Sequence, residues 1–208
     1  MTDEELLEAF CESGASFFER GYATGSSGNM SVRLSDGTIA LTPTGSSLGK
    51  LSPDRLSFVT LEGSPLRGPK PTKEAPLHLS FYAQQPECSA VIHLHSPYAT
   101  ALSCLADLDA ENALKPCTPY FTMKGGKLPV VPYFKPGSEK LFVGTGELAK
   151  TTKALLLSNH GLVATGKSLS AAVNLAEELE ASAQLHFILR GCDVRYLTQA
   201  EIAELMPH

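Results

Sequence analysis

Residues 91–97 read VIHLHSP, two histidines inside an apolar run. In a strand, residues two apart face the same side, so His93 and His95 project together, their bases roughly 6–7 Å apart. Two imidazoles at that spacing can converge on one ion, given Zn–N bonds of ~2.0–2.1 Å. Two packed core histidines are the alternative, but burying two titratable rings costs more when they share no partner. A third histidine, His160, closes the apolar run ALLLSNHG, and Gly161 permits a sharp turn there. Three histidines at strand ends with a carboxylate nearby suit an open catalytic metal site better than a closed structural one. Glu74 is the candidate carboxylate. It follows KPTK at a loop-to-helix transition, where a helix start favours an anion. An ordinary first-turn glutamate would occupy the same position. His78, one helical turn after Glu74, reads as packed. His186 lies within a helix and His208 at the terminus, so neither competes as a ligand.

Two loops add a second kind of chemistry. GSSGN (25–29) and TPTGSSLG (42–49) are rich in Gly, Ser and Thr beside strands. Such loops expose N–H groups and hydroxyls that can cradle an anion, and they also serve as plain turns. Neither GxxxxGK[ST] nor GxGxxG occurs. Lys73 adds a cation beside Glu74, or is simply a solvated surface lysine.

The elements that must position these residues follow from periodicity and turn signals. Residues 3–20 carry Leu6, Leu7, Phe10, Phe17 and Phe18 at helical spacing. NMSVRL and TIALTPT flank Ser35-Asp36-Gly37, which predicts a hairpin. LSFVTL predicts a strand, followed by a Pro/Gly-rich loop, PLRGPKPTK. KEAPLHLSFYAQQ predicts a helix with Pro76 in its first turn. SAVIHLHS is a strand and PYATALSCL a helix opened by Pro97. Residues 106–128 read as loop. LPVVPY is a short strand whose prolines place it at an edge or an end. GSEKLFVGTGELAKTT predicts a helix, KALLLSNHG and LVATGKS a strand pair, 168–190 a long helix, and LTQAEIAEL a last one. The expected fold is α/β: one domain over 1–208, three layers, a mainly antiparallel central sheet between helices.

Composition bounds the partners. The 208 residues are 43% hydrophobic and 19% charged, an ordinary globule. A net charge of −5 argues against general nucleic-acid or anionic-membrane binding but leaves room for a small anionic ligand. Five cysteines without a CxxC pair predict reduced thiols and a cytoplasmic protein. The acidic start, MTDEELLEAF, lacks a signal-peptide core, and no apolar run is long enough to span a bilayer.

In order, GNMSVR, TPTG, KPTKE, VIHLHS and SNHG resemble the class II aldolase/adducin family over nearly the whole chain. Within it, ATGSSGN, TPTGSSLG, KPTKE, HLHSPYATALSCL, TPYF, VPYFKPG and RYLTQAEIAEL look most like the 3-oxo-tetronate 4-phosphate decarboxylases, which are similar in fold to L-fuculose-phosphate aldolase. The resemblance implies one zinc ion per subunit held by His93, His95 and His160, with other divalent metals geometrically allowed. It implies Glu74 as general acid/base and extra ligand, and Gly28, Asn29, Thr44, Gly45, Thr72 and Lys73 as phosphate or substrate contacts. Sugar-phosphate aldolases carry two serines where Thr72 and Lys73 stand, which weakens the aldolase reading here. The resemblance further implies a cyclic homotetramer with sites at subunit interfaces, where a neighbour's tyrosine assists; Tyr120 is the candidate and Tyr133 the reserve. The implied reaction is zinc-dependent decarboxylation of a 3-oxo-4-phospho-tetronate to dihydroxyacetone phosphate and CO2 through an enediolate, in sugar-acid catabolism. Sugar-phosphate aldol cleavage and pentulose-phosphate epimerisation would use the same enediolate. Adducin-like relatives use the fold for protein association; the complete set of three histidines and Glu74 favours an enzyme.

Overall fold

The computed structural model describes residues 1–205; His208 lies outside the described residues. The chain opens with helix α1 (Asp3–Glu19), started by a capping box. The Thr2 hydroxyl accepts from the Glu5 amide at 3.2 Å, and the Glu5 carboxylate accepts from the Thr2 amide at 2.7 Å.

Eight strands form one sheet: β1 (Asn29–Arg33), β2 (Ile39–Leu41), β3 (Ser57–Val59), β4 (Pro65–Arg67), β5 (Ala90–Leu94), β6 (Val130–Val131), β7 (Ala154–Leu157) and β8 (Gly161–Gly166). Their order across the sheet is β4-β3-β2-β1-β5-β8-β7-β6. Every pairing is antiparallel except β6 with β7. That pair is joined by helix α5 (Glu139–Leu148), the crossover that a parallel connection needs. The Ser35-Asp36-Gly37 hairpin and the edge position of β6 agree with the sequence reading. The prolines at 129 and 132 leave β6 only two residues.

Period-two alternation sorts the strand side chains into two cores. Met30, Val32, Ile92, Leu94, Leu162 and Ala164 pack towards α1, α3 (Pro97–Ser103), α4 (Pro119–Lys124) and α6 (Leu169–Ile188). Ile39, Leu41, Val91, Leu155 and Val163 pack on the other face with α2 (Ala75–Gln84) and α5. A last helix, α7 (Gln199–Leu205), packs on α4. The three-layer expectation therefore holds.

Two elements run against the sequence reading. β4 lies inside the stretch read as loop: all three residues are exposed at the sheet edge, so no apolar alternation marks it. α4 lies inside 106–128: it is only six residues long and turns Phe121 and Thr122 inward, too short for a helical period. Gly161 also has a different reason from the one expected. The left-handed turn falls on Asn159, at φ 54°. A Cβ on Gly161 would lie 2.3 Å from the Leu94 carbonyl oxygen, so the glycine permits close approach of β8 to β5. Gly161→Ala is expected to cost about 2 kcal/mol through this backbone clash, read as a lower urea midpoint at unchanged slope.

Candidate functional site

β1 begins, β5 ends and β8 begins at one end of the sheet, with Asn29 paired to His93 and Leu94 to Leu162. His93 points to the α2 face, between Ile92 and Leu94, which point to the opposite core. His95 follows two residues on, and His160 sits in the turn before β8. The Nε2 atom of His93 lies 3.0 Å from that of His95 and 3.4 Å from that of His160. All three ring centroids are 4.8 Å apart. Tetrahedral Zn–N bonds of ~2.0–2.1 Å would separate two nitrogens by roughly 3.3 Å, so the cluster is close to ligand spacing.

The tautomer of the central ring also fits. His93 Nδ1–H donates to the Leu162 carbonyl at 2.8 Å, which leaves the Nε2 lone pair facing the cluster. Burial holds His93 down to about 4, against the pull of Glu74. Burial likewise lowers His95 and His160, and the Lys73 charge adds to the effect on both. The three rings are thus neutral at neutral pH, the form that ligates.

Glu74 is 4% exposed and sits at the N-cap of α2, yet its side chain makes no capping hydrogen bond. It turns to the histidines instead: Oε2 is 3.5 Å from His93 Nε2 and Oε1 is 3.5 Å from His160 Nε2. Oε1 is buried and has no hydrogen-bond partner. An orphaned carboxylate oxygen beside three neutral imidazoles is costly alone and fits a cation held among them. Burial pushes the Glu74 carboxyl towards its neutral form, but His93, the Asn29 amide, His160 and His78 outweigh it and hold the carboxylate below its ordinary range.

A buried chain of side chains orients Glu74. Asn29 Nδ2 donates to Glu74 Oε2 at 2.8 Å, and Asn29 Oδ1 lies 2.5 Å from His78 Nε2. His78 Nδ1 is 2.8 Å from Ser31 Oγ, which is 2.8 Å from the Tyr82 hydroxyl. Burial holds His78 down to about 3, so its neutral ring gives the chain one direction. Tyr82 donates to Ser31, Ser31 to His78, His78 to Asn29 and Asn29 to Glu74. His78 is packed, as expected, but it also works. The side chain of Asn29 bonds Glu74 and His78, and the residue also lines the cavity in which the resemblance expects a phosphate or substrate contact.

Helix α3 ties the histidines together. Glu180 of α6, 3% exposed, accepts from Ser96 Oγ at 2.6 Å and from the Tyr98 and Ala99 amides at 2.8 Å each. It thereby satisfies the start of α3 directly after His95. At the other end, the Ser103 carbonyl accepts from the Asn159 amide at 2.9 Å and Ser103 Oγ from the His160 amide at 3.2 Å. Glu180 went unread in the sequence. Its signal was a carboxylate within the apolar stripe of Leu175, Ala176, Leu179 and Ala183.

A cavity of about 620 Å³ opens on Glu74, His95 and His160. Gly28, Asn29, Thr44, Gly45, Thr72 and Lys73, all expected contacts, line it. Gly28 and Gly45 have φ of 78° and 72°, the left-handed region that glycine adopts freely. Ser26, Ser27 and Ser46, from the two loops singled out in the sequence, line it as well, and so do Thr100 and Asn159, which were not anticipated. The 43–44 and 70–72 segments pair, with the Thr72 amide donating to Thr42 at 3.1 Å, which sets Lys73 and Glu74 beside the 44–46 loop. Tyr120 and Tyr133 are 59% and 60% exposed and line no part of this cavity in their own chain. His186, half-buried on α6, lines a separate cavity of about 660 Å³ beside α4 and α7.

The fold and this site define the class. Residues 8–187 match the model of the class II aldolase and adducin N-terminal domain, and the chain belongs to that family. It is 57% identical over 192 residues to the 3-oxo-tetronate 4-phosphate decarboxylase of Pectobacterium atrosepticum, covering 92% of this chain and 88% of that one. It is 52% identical over 205 residues to the decarboxylase of the same name from Haemophilus influenzae, covering 99% and 98%. The crystal structure of YgbL from Klebsiella pneumoniae superposes with a TM-score of 0.97 at 50% identity, covering 99% of this chain and 100% of that one.

Two buried neutral histidines make stability pH-dependent. With folded values of about 3 for His78 and about 4 for His93, against 6.5 when unfolded, the unfolded chain binds more protons below pH 6.5. Stability is full above 6.5 and lost as pH falls. At pH 5 the loss is roughly 2 kcal/mol per histidine, measurable in the metal-free protein as a falling urea midpoint between pH 7.5 and 5. A flat midpoint would contradict the neutral buried rings.

Proposed function

We propose that the chain is a metal-dependent carboxy-lyase that converts a 3-oxo-tetronate 4-phosphate to dihydroxyacetone phosphate and CO2. The observation that carries this reading is the convergence of three imidazole Nε2 atoms and an unpartnered Glu74 oxygen on the wall of a polar cavity. The names of the decarboxylase relatives supply the substrate class. His93, His95 and His160 would hold the ion, with Glu74 beside it. A divalent cation bound there would supply a Lewis acid for the substrate ketone oxygen. Zinc is the metal chosen for three imidazole ligands.

The substrate's own chemistry sets what the residues must do. Its C1 carboxylate is β to the C3 ketone, so when CO2 leaves, the C2 electron pair delocalises onto the ketone as an enediolate. Protonation at C2 gives dihydroxyacetone phosphate. Glu74 is positioned to carry that proton, since Oε1 is free of hydrogen bonds and the Asn29–His78 chain fixes the carboxylate. Tyr120 from a neighbouring subunit is the second candidate. Gly28, Thr44, Gly45 and Thr72 would take the phosphate with amides and hydroxyls. In the same proposal the protein is a cytoplasmic homotetramer with sites at subunit interfaces. Its five free cysteines suit a reducing compartment, and among the described residues no helix is long and apolar enough to cross a membrane.

The metal-loaded protein should release CO2 and dihydroxyacetone phosphate in equal amounts, and a chelator should abolish both. Aldehyde plus dihydroxyacetone phosphate from a ketose 1-phosphate, with no CO2 from the keto acid, would move the chain to aldol chemistry. His95→Ala should lose bound metal and nearly all activity; full turnover by the metal-free variant would end the mechanism. Glu74→Gln should keep the metal and lose about 10²- to 10⁴-fold in kcat. An unchanged rate would remove Glu74 from proton transfer.

A further inference from the structure

The substrate of the proposed reaction carries two anions, a phosphate on C4 and a carboxylate at C1, on opposite sides of the C3 ketone. We propose that Lys73 holds the carboxylate rather than the phosphate, and thereby selects keto acids over neutral sugar phosphates. This rests on the decarboxylase reading above.

Lys73 is the one ammonium or guanidinium among the residues lining the cavity. The ion pairs of the described residues use Arg20, Lys124, Lys150, Lys167 and Arg195, and Lys73 enters none of them. Its stem lies against the Pro136–Gly137 turn: a Cβ on Gly137 would lie 3.8 Å from the Lys73 Cγ and Cδ. Pro136 also lines the cavity, and Lys73, an exposed residue, stands on the rim between this cavity and a second groove beside α2.

The rest of the wall offers the phosphate uncharged donors. Thr44 and Thr72 bring hydroxyls, and Gly28 and Gly45 bring backbone in the left-handed conformation, where N–H groups are open to an anion. With the ketone at the histidines and the phosphate in these loops, the carboxylate projects to the remaining side, where Lys73 stands unpaired.

The departing group is neutral CO2, so a lysine–carboxylate pair is strongest before the bond breaks and weakens as it does. Binding of that kind tightens the ground state without lowering the barrier from it. The signature of Lys73 is therefore in KM and in affinity for the carboxylate-bearing ligand rather than in kcat.

The test compares Lys73→Met, which keeps the stem on Gly137, and Lys73→Arg with the parent, all zinc-loaded. Two unreactive ligands are titrated calorimetrically: dihydroxyacetone phosphate, with a phosphate only, and 4-phosphoerythronate, with both anions. Lys73→Met should weaken 4-phosphoerythronate ~10- to 100-fold while leaving dihydroxyacetone phosphate within about twofold. Keto-acid KM should rise in parallel, with kcat equal or higher, and Lys73→Arg should recover most of the affinity. Equal weakening of both ligands would assign Lys73 to the phosphate, and no change in either would make it a surface lysine; each overturns the proposal. The ligand comparison needs no turnover. Selective loss in a protein that releases no CO2 would therefore uphold Lys73 and sink the decarboxylase reading. Failure of the parent to bind either ligand would sink both.

Discussion

The structure is organised around a buried carboxylate facing three uncharged imidazoles. Glu74 has one oxygen held by Asn29 and the other held by nothing, 3.5 Å from His160. Removing such a group from water costs several kcal/mol, and one amide hydrogen bond from Asn29 with nothing on the second oxygen offsets only part of it. A cation among the four groups resolves this cost and gives the histidine lone pairs a common partner. The same features make a closed ion pair a poor description: the His93 ring is neutral because it is buried, with its one proton engaged by Leu162.

Holding four such groups together requires rigid support, and antiparallel register provides it. Asn29, His93 and Val163 lie side by side across β1, β5 and β8, so one strand end aligns the next. α2 delivers Glu74 from one face, and the buried run from Tyr82 to Asn29 fixes its angle. α3 works from the other side. Glu180 holds its beginning beside His95 and Ser103 at its end holds the backbone of His160. A histidine cluster braced from both layers suits a site that must stabilise charge without reorganising.

Much of this was legible before the fold. His93 and His95 are readable because a two-residue spacing in an apolar strand has one geometric meaning, and His160 because it closes a similar run. Glu74 was ambiguous by position, and the family resemblance selected it. The supporting residues were not legible, for a physical reason: their partners are distant in sequence. Asn29 and His78 are 49 residues apart, and Ser96 and Glu180 are 84 apart. No local pattern encodes such contacts. β4 and α4 escaped for the opposite reason, since three exposed residues and six mixed ones carry too few positions to show a period.

The measurement that tests the central claim most directly is anomalous diffraction from crystals soaked in zinc, collected on both sides of the zinc edge. One strong peak within bonding distance of the Nε2 atoms of His93, His95 and His160, beside Glu74, is the result expected. A peak elsewhere, or none at this cluster in soaked crystals, would contradict the metal site and the chemistry built on it.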